Sequence, residues 1–448
     1  MLRFPSINLK GDLFATAASF IAQALIRLAS TLLLTRFLNP EAYGLVTIIL
    51  SIAFVVELIA DINVTLFIVR DQHGEEPRFI NTAWTLRLAR AALNTAVLLL
   101  LAPAITSWIY KLPALTLPLR VYSLSFIIGG LQSMSYPIAI RRKEARLTMY
   151  SELVASAIAT VFQVIYCYYS RDYWGIVFGL LLQRSLTSAF SYLFYRDLRP
   201  KFQFEWAAAK QILVFTKFVM PSSLLTLALS QFDKVVFLRL FDLRLLGVYG
   251  LAGNISGNVD SLVTKISQSV LYPRCAHNIR TDPSTSTLKY YSENVRLFIS
   301  ILIIPAAIGG AAQSIVQVLY PARYAMAGAV LQAFMLRATV LAFAATSEDL
   351  LIASGEFQVI LNGNIFRTIS MVAAAFAGYY LFGFMGFTYG TAVSAIPPLG
   401  YYLWLQRKKG MLIAKYEMYK VAFVVCVAAC SYVIGRLVLI GWRYIHPS

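Results

Sequence analysis

The sequence predicts an all-α integral membrane protein: two pseudo-symmetric six-helix bundles around a central cavity, followed by an extra C-terminal helix. Three observations predict this fold class. Of the 448 residues, 59% are hydrophobic and only 13% charged, whereas soluble domains are about half apolar and about a quarter charged. Apolar runs of about 20 residues, the length that crosses a bilayer, recur along the chain. Two weakly similar turn sequences also lie at matching positions, one in each half.

The apolar runs predict twelve spans joined by short connectors, with a thirteenth near the C-terminus. Each must be a helix, because unpaired backbone N–H and C=O groups cannot face hydrocarbon. The predicted spans are 13–36, 43–69, 80–108, 118–140, 148–169, 174–195, 211–239, 245–272, 290–319, 325–354, 358–381, 384–405 and 416–440.

The repeated corner joins the first and second predicted spans of each half. Residues 36–45 read RFLNPEAYGL and residues 239–248 read RLFDLRLLGV. Aligned without a gap, Asn39 falls on Asp242 and Gly44 on Gly247. Duplicated six-helix halves are a common plan of membrane transporters, with the substrate site between the halves.

The longest charged interruption near the middle of the chain, RDLRPKFQFEWAAAK at 196–210, marks the boundary between the halves. We therefore predict an N-terminal six-helix lobe at 1–205 and a C-terminal six-helix lobe at 206–405. Residues 406–448 carry the extra transmembrane helix and the tail.

The net charge of +18 would suggest nucleic acid as a partner of a soluble protein. Here the positive-inside rule accounts for it, because the predicted cytoplasmic loops hold more than twice as many Lys and Arg as the outside connectors. The distribution predicts a multi-pass protein of the cell inner membrane with a cytoplasmic N-terminus and no nucleic-acid partner.

Cofactor and metal chemistry have no signature in the sequence. The four cysteines and three histidines show no spacing typical of a zinc site or a disulfide framework. No GxxxxGK[ST] motif is present, so the energy for any transport comes from an ion gradient or from substrate consumption outside. We predict no metal and no cofactor.

Charged residues inside the spans are the main functional signal, because they cost several kcal/mol there and usually face a cavity or a partner. In the eighth span, helical spacing places Asn254, Asn258, Ser261, Lys265 and Gln268 on one face. This stripe predicts a hydrated cavity between the halves, although single polar residues also serve as contacts between helices.

The cations at mid-depth predict an anionic ligand for that cavity. Arg87 and Arg90 lie nearer the cytoplasmic entrance, where snorkelling to the interface is the competing interpretation. Our candidates for substrate binding are Arg27, Lys234, Lys265, Arg337, Arg367, Asn254 and Asn258.

The acids inside the spans have two interpretations. They could couple an ion, H+ or Na+, to transport, or they could pair with neighbouring cations, which we favour. The candidates are Glu57, Asp61, Asp233 and Asp260.

Four segments, in this order, resemble those of bacterial oligosaccharide flippases. They are the corner at 36–45, INTAWTLRLARAAL at 80–93, PIAIRRKEARLTMYSELVAS at 137–156 and SQFDKVVFLRLFDLRLLGVYGLAGNI at 230–255. The resemblance covers roughly residues 10–405. It is to the exopolysaccharide branch of the polysaccharide transport family, within the multidrug/oligosaccharidyl-lipid/polysaccharide flippase superfamily.

The resemblance implies a transporter, not an enzyme, whose two bundles alternate between inward-open and outward-open states. It implies a cationic cavity that takes an undecaprenyl-pyrophosphate-linked oligosaccharide repeat unit from the inner to the outer leaflet. Membrane lipids, a polysaccharide polymerase and the export machinery are the implied partners. No individual binding residue carries over from the family.

Three alternatives stay open. A multidrug exporter of the same superfamily would be expected to line a half-cavity with carboxylates, whereas the first span offers Arg27 and no acid. A membrane glycosyltransferase or polymerase usually needs a large outside loop, and the predicted outside connectors are short. A peptidoglycan-precursor flippase is poorly separated from our prediction by sequence.

Overall fold

The computed structural model describes most of the chain, and every regular element in that part is a helix. It divides into two compact units, Met1–Leu227 and Ala228–Ser448, here called the N-terminal and C-terminal units. The division into lobes at 205/206 and 405/406 stays a prediction. The described residues are 9–59, 64–70, 73–142, 146–193, 200–214, 216, 231–234, 236–237, 240–267, 271–281, 286–356 and 358–445.

The N-terminal unit is a helical bundle in which α4 packs on α5, and α7 packs on both α1 and α8. Its α4 begins at a proline, whose fixed φ suits the first turn of a helix. The helices are α1 (Leu9–Phe37), α2 (Pro40–Ile59), α3 (Val64–Arg70), α4 (Pro77–Ala104), α5 (Thr116–Gly130), α6 (Ser135–Arg141), α7 (Arg146–Ser170) and α8 (Trp174–Leu193).

The C-terminal unit packs its last helix closely on α11, where small residues line the contact. A Cβ on Gly310 would lie 2.2 Å from the carbonyl oxygen of Ala428, so only glycine allows this approach. The helices are α9 (Leu243–Ile266), α10 (Tyr272–Thr281), α11 (Ser286–Leu319), α12 (Ala327–Ala353), α13 (Gln358–Val393), α14 (Ile396–Lys408) and α15 (Ala414–Ile445).

Both copies of the repeated corner begin their second helix with the same kind of cap. The Asn39 side chain accepts a hydrogen bond from the backbone N–H of Ala42 at 3.2 Å. The Asp242 side chain accepts one from the N–H of Leu245 at 2.8 Å. Such caps satisfy backbone donors that have no partner within the helix. The aligned residues therefore have the same local role in both units.

Eight helices of the described chain are long and apolar enough to cross a membrane, or nine if the pair Pro113–Gly130 and Ser135–Arg141, bent by 54°, is one span. The eight are Pro40–Leu58, Pro77–Ile109, Thr148–Ser170, Trp174–Leu193, Tyr291–Leu319, Ala327–Ala353, Gln358–Lys408 and Ala414–Trp442. These helices confirm a multi-pass membrane protein.

The number is lower than the twelve or thirteen spans that we predicted, for identifiable reasons. The helix Gln358–Lys408 covers two predicted spans, which meet at a kink where Gly383 has a φ of 60°. Most of the predicted span 211–239 lies outside the described residues. The polar stripe of α9 makes that helix less apolar than its neighbours.

Candidate functional site

Two adjacent glycines at the end of α5 make room for a polar site in the N-terminal unit. A Cβ on Gly130 would lie 2.5 Å from the Cβ of Ala91, so this glycine lets α5 approach α4 closely. A Cβ on Gly129 would lie 3.0 Å from Nε of Arg184, so this glycine lets the Arg184 side chain of α8 cross α5. Arginine side chains from α4 and from α8 therefore come close to each other beside these glycines.

A small cavity lies between these groups. It has about 30 Å³ of space for the centres of water molecules, enough for about two waters. The described residues that line it include both apolar and charged residues. They are Glu57, Arg87, Arg90, Ala91, Asn94, Phe126, Gly129, Gly130 and Arg184.

Arg87 is held in place by α5 and the turn that follows it. Its Nη2 donates to the carbonyl oxygen of Gly129 at 2.8 Å and to the side-chain oxygen of Gln132 at 2.6 Å. Both bonds are made by the same nitrogen, Nη2, of the guanidinium group. Because arginine has five donors in a planar fork, the remaining N–H groups keep donor capacity toward the cavity.

Arg184 forms an ion pair with Glu57 of α2, with Nη2 3.0 Å from Oε1. The two side chains are 47% and 39% exposed. The helices α2 and α8 otherwise pack little against each other, and both pack on α5.

The charged groups that line the cavity are three arginines and one carboxylate. Guanidinium groups match the geometry of phosphate oxygens and bind them through two parallel hydrogen bonds. The excess of positive charge therefore favours an anion. In this conformation the cavity has room for about two water molecules, so a phosphate would bind at its mouth or in a more open state.

The sequence predicted these residues separately. Arg87 and Arg90 were predicted at an entrance and Glu57 as a candidate for ion coupling, and the structure places all three around one cavity. Our candidate list lacked Arg184. A charged residue inside an apolar span is the signal for it, but its spacing from Arg87 gives no hint that the two meet.

In the C-terminal unit, two predicted substrate-binding arginines lie near acids. Arg337 stacks on the ring of Phe334 at 4.7 Å, and its Nη2 lies 3.8 Å from the carboxylate of Asp260. Arg367 lies within electrostatic range of both Arg337 and Asp260. In both arginines Nε is buried and has no hydrogen-bond acceptor in the part of the chain that the structure describes.

Asp233, a second candidate for ion coupling, is buried and accepts a hydrogen bond from the hydroxyl of Tyr249 at 2.7 Å. The neighbouring Lys234 donates to the side-chain oxygen of Gln231 at 3.4 Å, a long contact. Glu57 and Asp260 thus each lie near an arginine of their own unit, whereas the contact of Asp233 is with a tyrosine hydroxyl.

The polar stripe of α9 lies on one side of the helix, opposite a buried apolar side. Asn254 and Lys265 are exposed within the C-terminal unit and Asn258 is half-buried, whereas Val259 is buried. Arg27 is exposed on α1 of the N-terminal unit. The predicted candidate Asp61 lies outside the described residues. The substrate-binding role of these residues stays a prediction.

The described part of the chain, with its eight or nine membrane-competent helices, is that of a multi-pass membrane protein. Residues 33–329 match the family described as "Polysaccharide biosynthesis protein", and the chain belongs to that family. This confirms the predicted resemblance to the polysaccharide transport family.

Two curated proteins illustrate the relationship. The chain is 25% identical over 283 residues to the amylovoran biosynthesis protein AmsL of Erwinia amylovora, covering 63% of this chain and 73% of AmsL. It is 22% identical over 350 residues to the succinoglycan biosynthesis transport protein ExoT of Rhizobium meliloti (strain 1021), covering 77% of this chain and 69% of ExoT.

Solved structures confirm the predicted two-bundle fold. The lipid II flippase MurJ, in an inward closed conformation, matches with a TM-score of 0.71 over 97% of this chain and 99% of MurJ at 13% identity. An inward-facing multidrug resistance MATE family transporter matches with a TM-score of 0.65 over 90% of this chain and 95% of that chain at 15% identity. At such identities the likeness concerns the fold alone.

Proposed function

We propose that the chain is a flippase that moves undecaprenyl-pyrophosphate-linked oligosaccharide repeat units across the cytoplasmic membrane for surface polysaccharide assembly. It works by alternating access through a cationic cavity. The names of the relatives support the glycan pathway, since AmsL and ExoT are named for amylovoran and succinoglycan biosynthesis. The protein carries out transport without covalent chemistry, so it is not an enzyme.

The observation that carries this proposal is the excess of arginine around the cavity of the N-terminal unit. Arg87, Arg90 and Arg184 surround it with Glu57 as the one acid among the described lining residues. A pyrophosphate cannot enter hydrocarbon bare, because an isolated charge costs several kcal/mol or more there. Guanidinium groups that replace its water lower this cost, while the prenyl chain stays in lipid.

The C-terminal unit contributes further substrate contacts in this proposal. Arg337 and Arg367 present buried nitrogens that lack an acceptor among the described residues, and such donors gain from an anion. The amide side chains of α9, exposed at Asn254 and half-buried at Asn258, suit the hydroxyl groups of sugars. The remaining substrate-binding candidates are Arg27, Lys234 and Lys265, with Asn254 and Asn258 for the glycan.

The orientation and the partners follow from the same proposal. The N-terminus is cytoplasmic, the membrane is the inner membrane, and a polymerase consumes the flipped repeat unit outside. Energy comes from that consumption or from H+ or Na+. Each acid candidate in the described chain already has a protein partner, which favours consumption.

Complementation of a deletion strain tests the proposal. Without the protein, we expect surface polysaccharide to be lost and lipid-linked repeat units to accumulate inside the cell.

Arg87→Gln and Arg184→Gln should each lower the rate of transport about tenfold or more, since a hydrogen bond to a charged group contributes about 1.5–3 kcal/mol. Arg337→Gln and Arg367→Gln should weaken transport as well.

Arg142→Gln is the matched control. Arg142 pairs with Glu75 in a loop of the same unit, at 2.9 Å and with side chains 46% and 37% exposed, so it resembles the Arg184–Glu57 pair without lining the cavity. We expect near-normal transport. A deletion strain that assembles its polysaccharide normally, without accumulated intermediates, would overturn the proposal.

The two rivals of the same fold are separated by their cargo. A multidrug exporter would carry organic cations, which three arginines at the cavity repel. A peptidoglycan-precursor flippase would have the same fold, which the likeness to MurJ shows, but a different lipid-linked cargo. We expect that the chain fails to rescue cells depleted of their lipid II flippase, and that cells expressing it gain no resistance to cationic dyes. Rescue of the depleted cells would show that the chain carries the peptidoglycan precursor instead.

A further inference from the structure

The ion pair between Glu57 and Arg184 is placed where it can influence a ligand. Both side chains are well exposed, and their helices otherwise pack little against each other. The pair also lines the cavity, which raises the question of what Glu57 does to the site.

The Glu57 carboxylate has two effects on an incoming phosphate. It accepts from Arg184 with the same kind of charge-assisted bond that a phosphate oxygen would form. It also lowers the sum of the formal charges of the described lining residues from three positive to two. A ligand must displace Glu57 from Arg184, or share that guanidinium with it.

Diphosphates differ in charge according to their ends. When both ends carry a substituent, each phosphoryl group keeps one ionised oxygen, so the diphosphate has two negative charges. When one end is free, the terminal phosphate loses most of a second proton at neutral pH, because that ionisation has a pKa of about 6. The lining charges of the site therefore balance the doubly substituted form.

On the basis of the proposed function, we infer that Glu57 is a specificity-determining residue that matches the site to a doubly substituted diphosphate and disfavours one with a free terminal phosphate. The distinction has a chemical meaning. Transfer of a glycan from a lipid diphosphate to an acceptor breaks the bond between the sugar and the terminal phosphate, and leaves the lipid diphosphate with that end free. Glu57 thus discriminates loaded carrier from spent carrier.

The test compares the binding of two probes to the full-length protein in nanodiscs. One is a polyprenyl diphosphate with a free end, and the other is the same polyprenyl diphosphate linked to a sugar. Relative to the linked probe, Glu57→Gln should strengthen binding of the free-ended probe about three- to tenfold, because the free-ended probe carries the larger negative charge. Glu57→Asp, which keeps the charge, should keep the wild-type ratio.

Glu75→Gln is the matched control, since it neutralises a carboxylate that pairs with an arginine outside the cavity. A hydrogen bond from the Arg142 side chain is the main cause that holds the pKa of Glu75 below its usual value. It is thus ionised at neutral pH, and its substitution changes the net charge by the same amount. We expect no change in the ratio of the two affinities.

The outcomes separate this inference from the proposed function. If Glu57→Gln leaves the ratio unchanged while Arg184→Gln weakens both probes, the inference is wrong and the arginine site stands. If wild-type protein binds neither probe, both fall. Should Glu57→Gln be poorly produced, Glu57→Ser provides a second neutral variant for the same comparison.

Discussion

At the scale of single residues, Gly129 and Gly130 have different reasons to lack a side chain. Gly130 faces the Ala91 side chain, which cannot move away because it has no rotatable bond beyond Cβ. Gly129 faces the end of Arg184, a flexible side chain that can shift. One glycine therefore serves the packing of α4 on α5, and the other serves the position of a guanidinium in the site.

Alanine at each position should separate the two roles. Gly130→Ala should lower the free energy of unfolding by about 1–3 kcal/mol, because the added methyl group overpacks the contact between the helices. Gly129→Ala should leave stability unchanged or slightly raised, since alanine favours the helix, yet it should reduce transport by displacing Arg184. Thermal unfolding of the purified variants and the complementation assay measure the two effects. Equal stability of both variants would contradict this assignment.

At the scale of helices, the last helix is fixed to the C-terminal unit by a buried charge. Lys420 of α15 is only 4% exposed. Its Nζ lies 2.8 Å from the Glu417 carboxylate and donates to the hydroxyl of Thr346 on α12 at 3.0 Å. Three aromatic rings surround it at 5.2–5.7 Å, those of Tyr291, Phe298 and Phe343. The charge therefore joins α15 to α11 and α12.

Lys420→Met should lower the free energy of unfolding by about 3–5 kcal/mol, because it leaves the Glu417 carboxylate buried without its cation. Adding Glu417→Gln should recover part of this loss. The midpoints of thermal unfolding of the two single variants and the double variant measure the coupling.

Lys415→Met, at an exposed position of the same helix, is the control and should change stability by no more than about 0.5 kcal/mol. If Lys420→Met is as stable as this control, Lys420 does not fix the helix.

At the scale of the whole molecule, both units begin their second helix with the same side-chain cap, from Asn39 in one and Asp242 in the other. Two six-helix lobes with a cytoplasmic N-terminus would return the chain to the cytoplasm after α14. The helix Ala414–Trp442 is apolar enough to cross once more. The C-terminus would then lie outside.

Alkaline phosphatase, which is active only outside the cytoplasm, tests this topology as a fusion partner. We expect activity when it is joined to the C-terminus and no activity when it is joined after Gly410, in the connector before α15. The positive-inside bias gives the physical reason, since the cations at the end of α14 should stay in the cytoplasm. The opposite pattern would place the last helix on the membrane surface or reverse the orientation.

Much of the fold was predictable because it depends on local properties of the chain. Long apolar runs must become helices in a bilayer, whatever their neighbours are. The caps at Asn39 and Asp242 are also local, because each bonds to a residue three positions away. The break between α5 and α6 and the kink at Gly383 were less visible, since both depend on packing as much as on composition.

The sequence predicted which types of residue form the candidate site, but not which individual residues come together in it. Arg87, Arg90 and Glu57 lie within apolar segments, where a charged side chain is costly to bury. We therefore expect each of them to have a function or to pair with another charge. Which charges meet is a different matter, because Glu57 and Arg184 lie 127 positions apart in the chain. Their meeting depends on Gly129, which has no side chain to block Arg184, and on a close contact between helices that Gly130 permits. Hydropathy and periodicity thus define the membrane fold, while three-dimensional packing selects the charges that form the site.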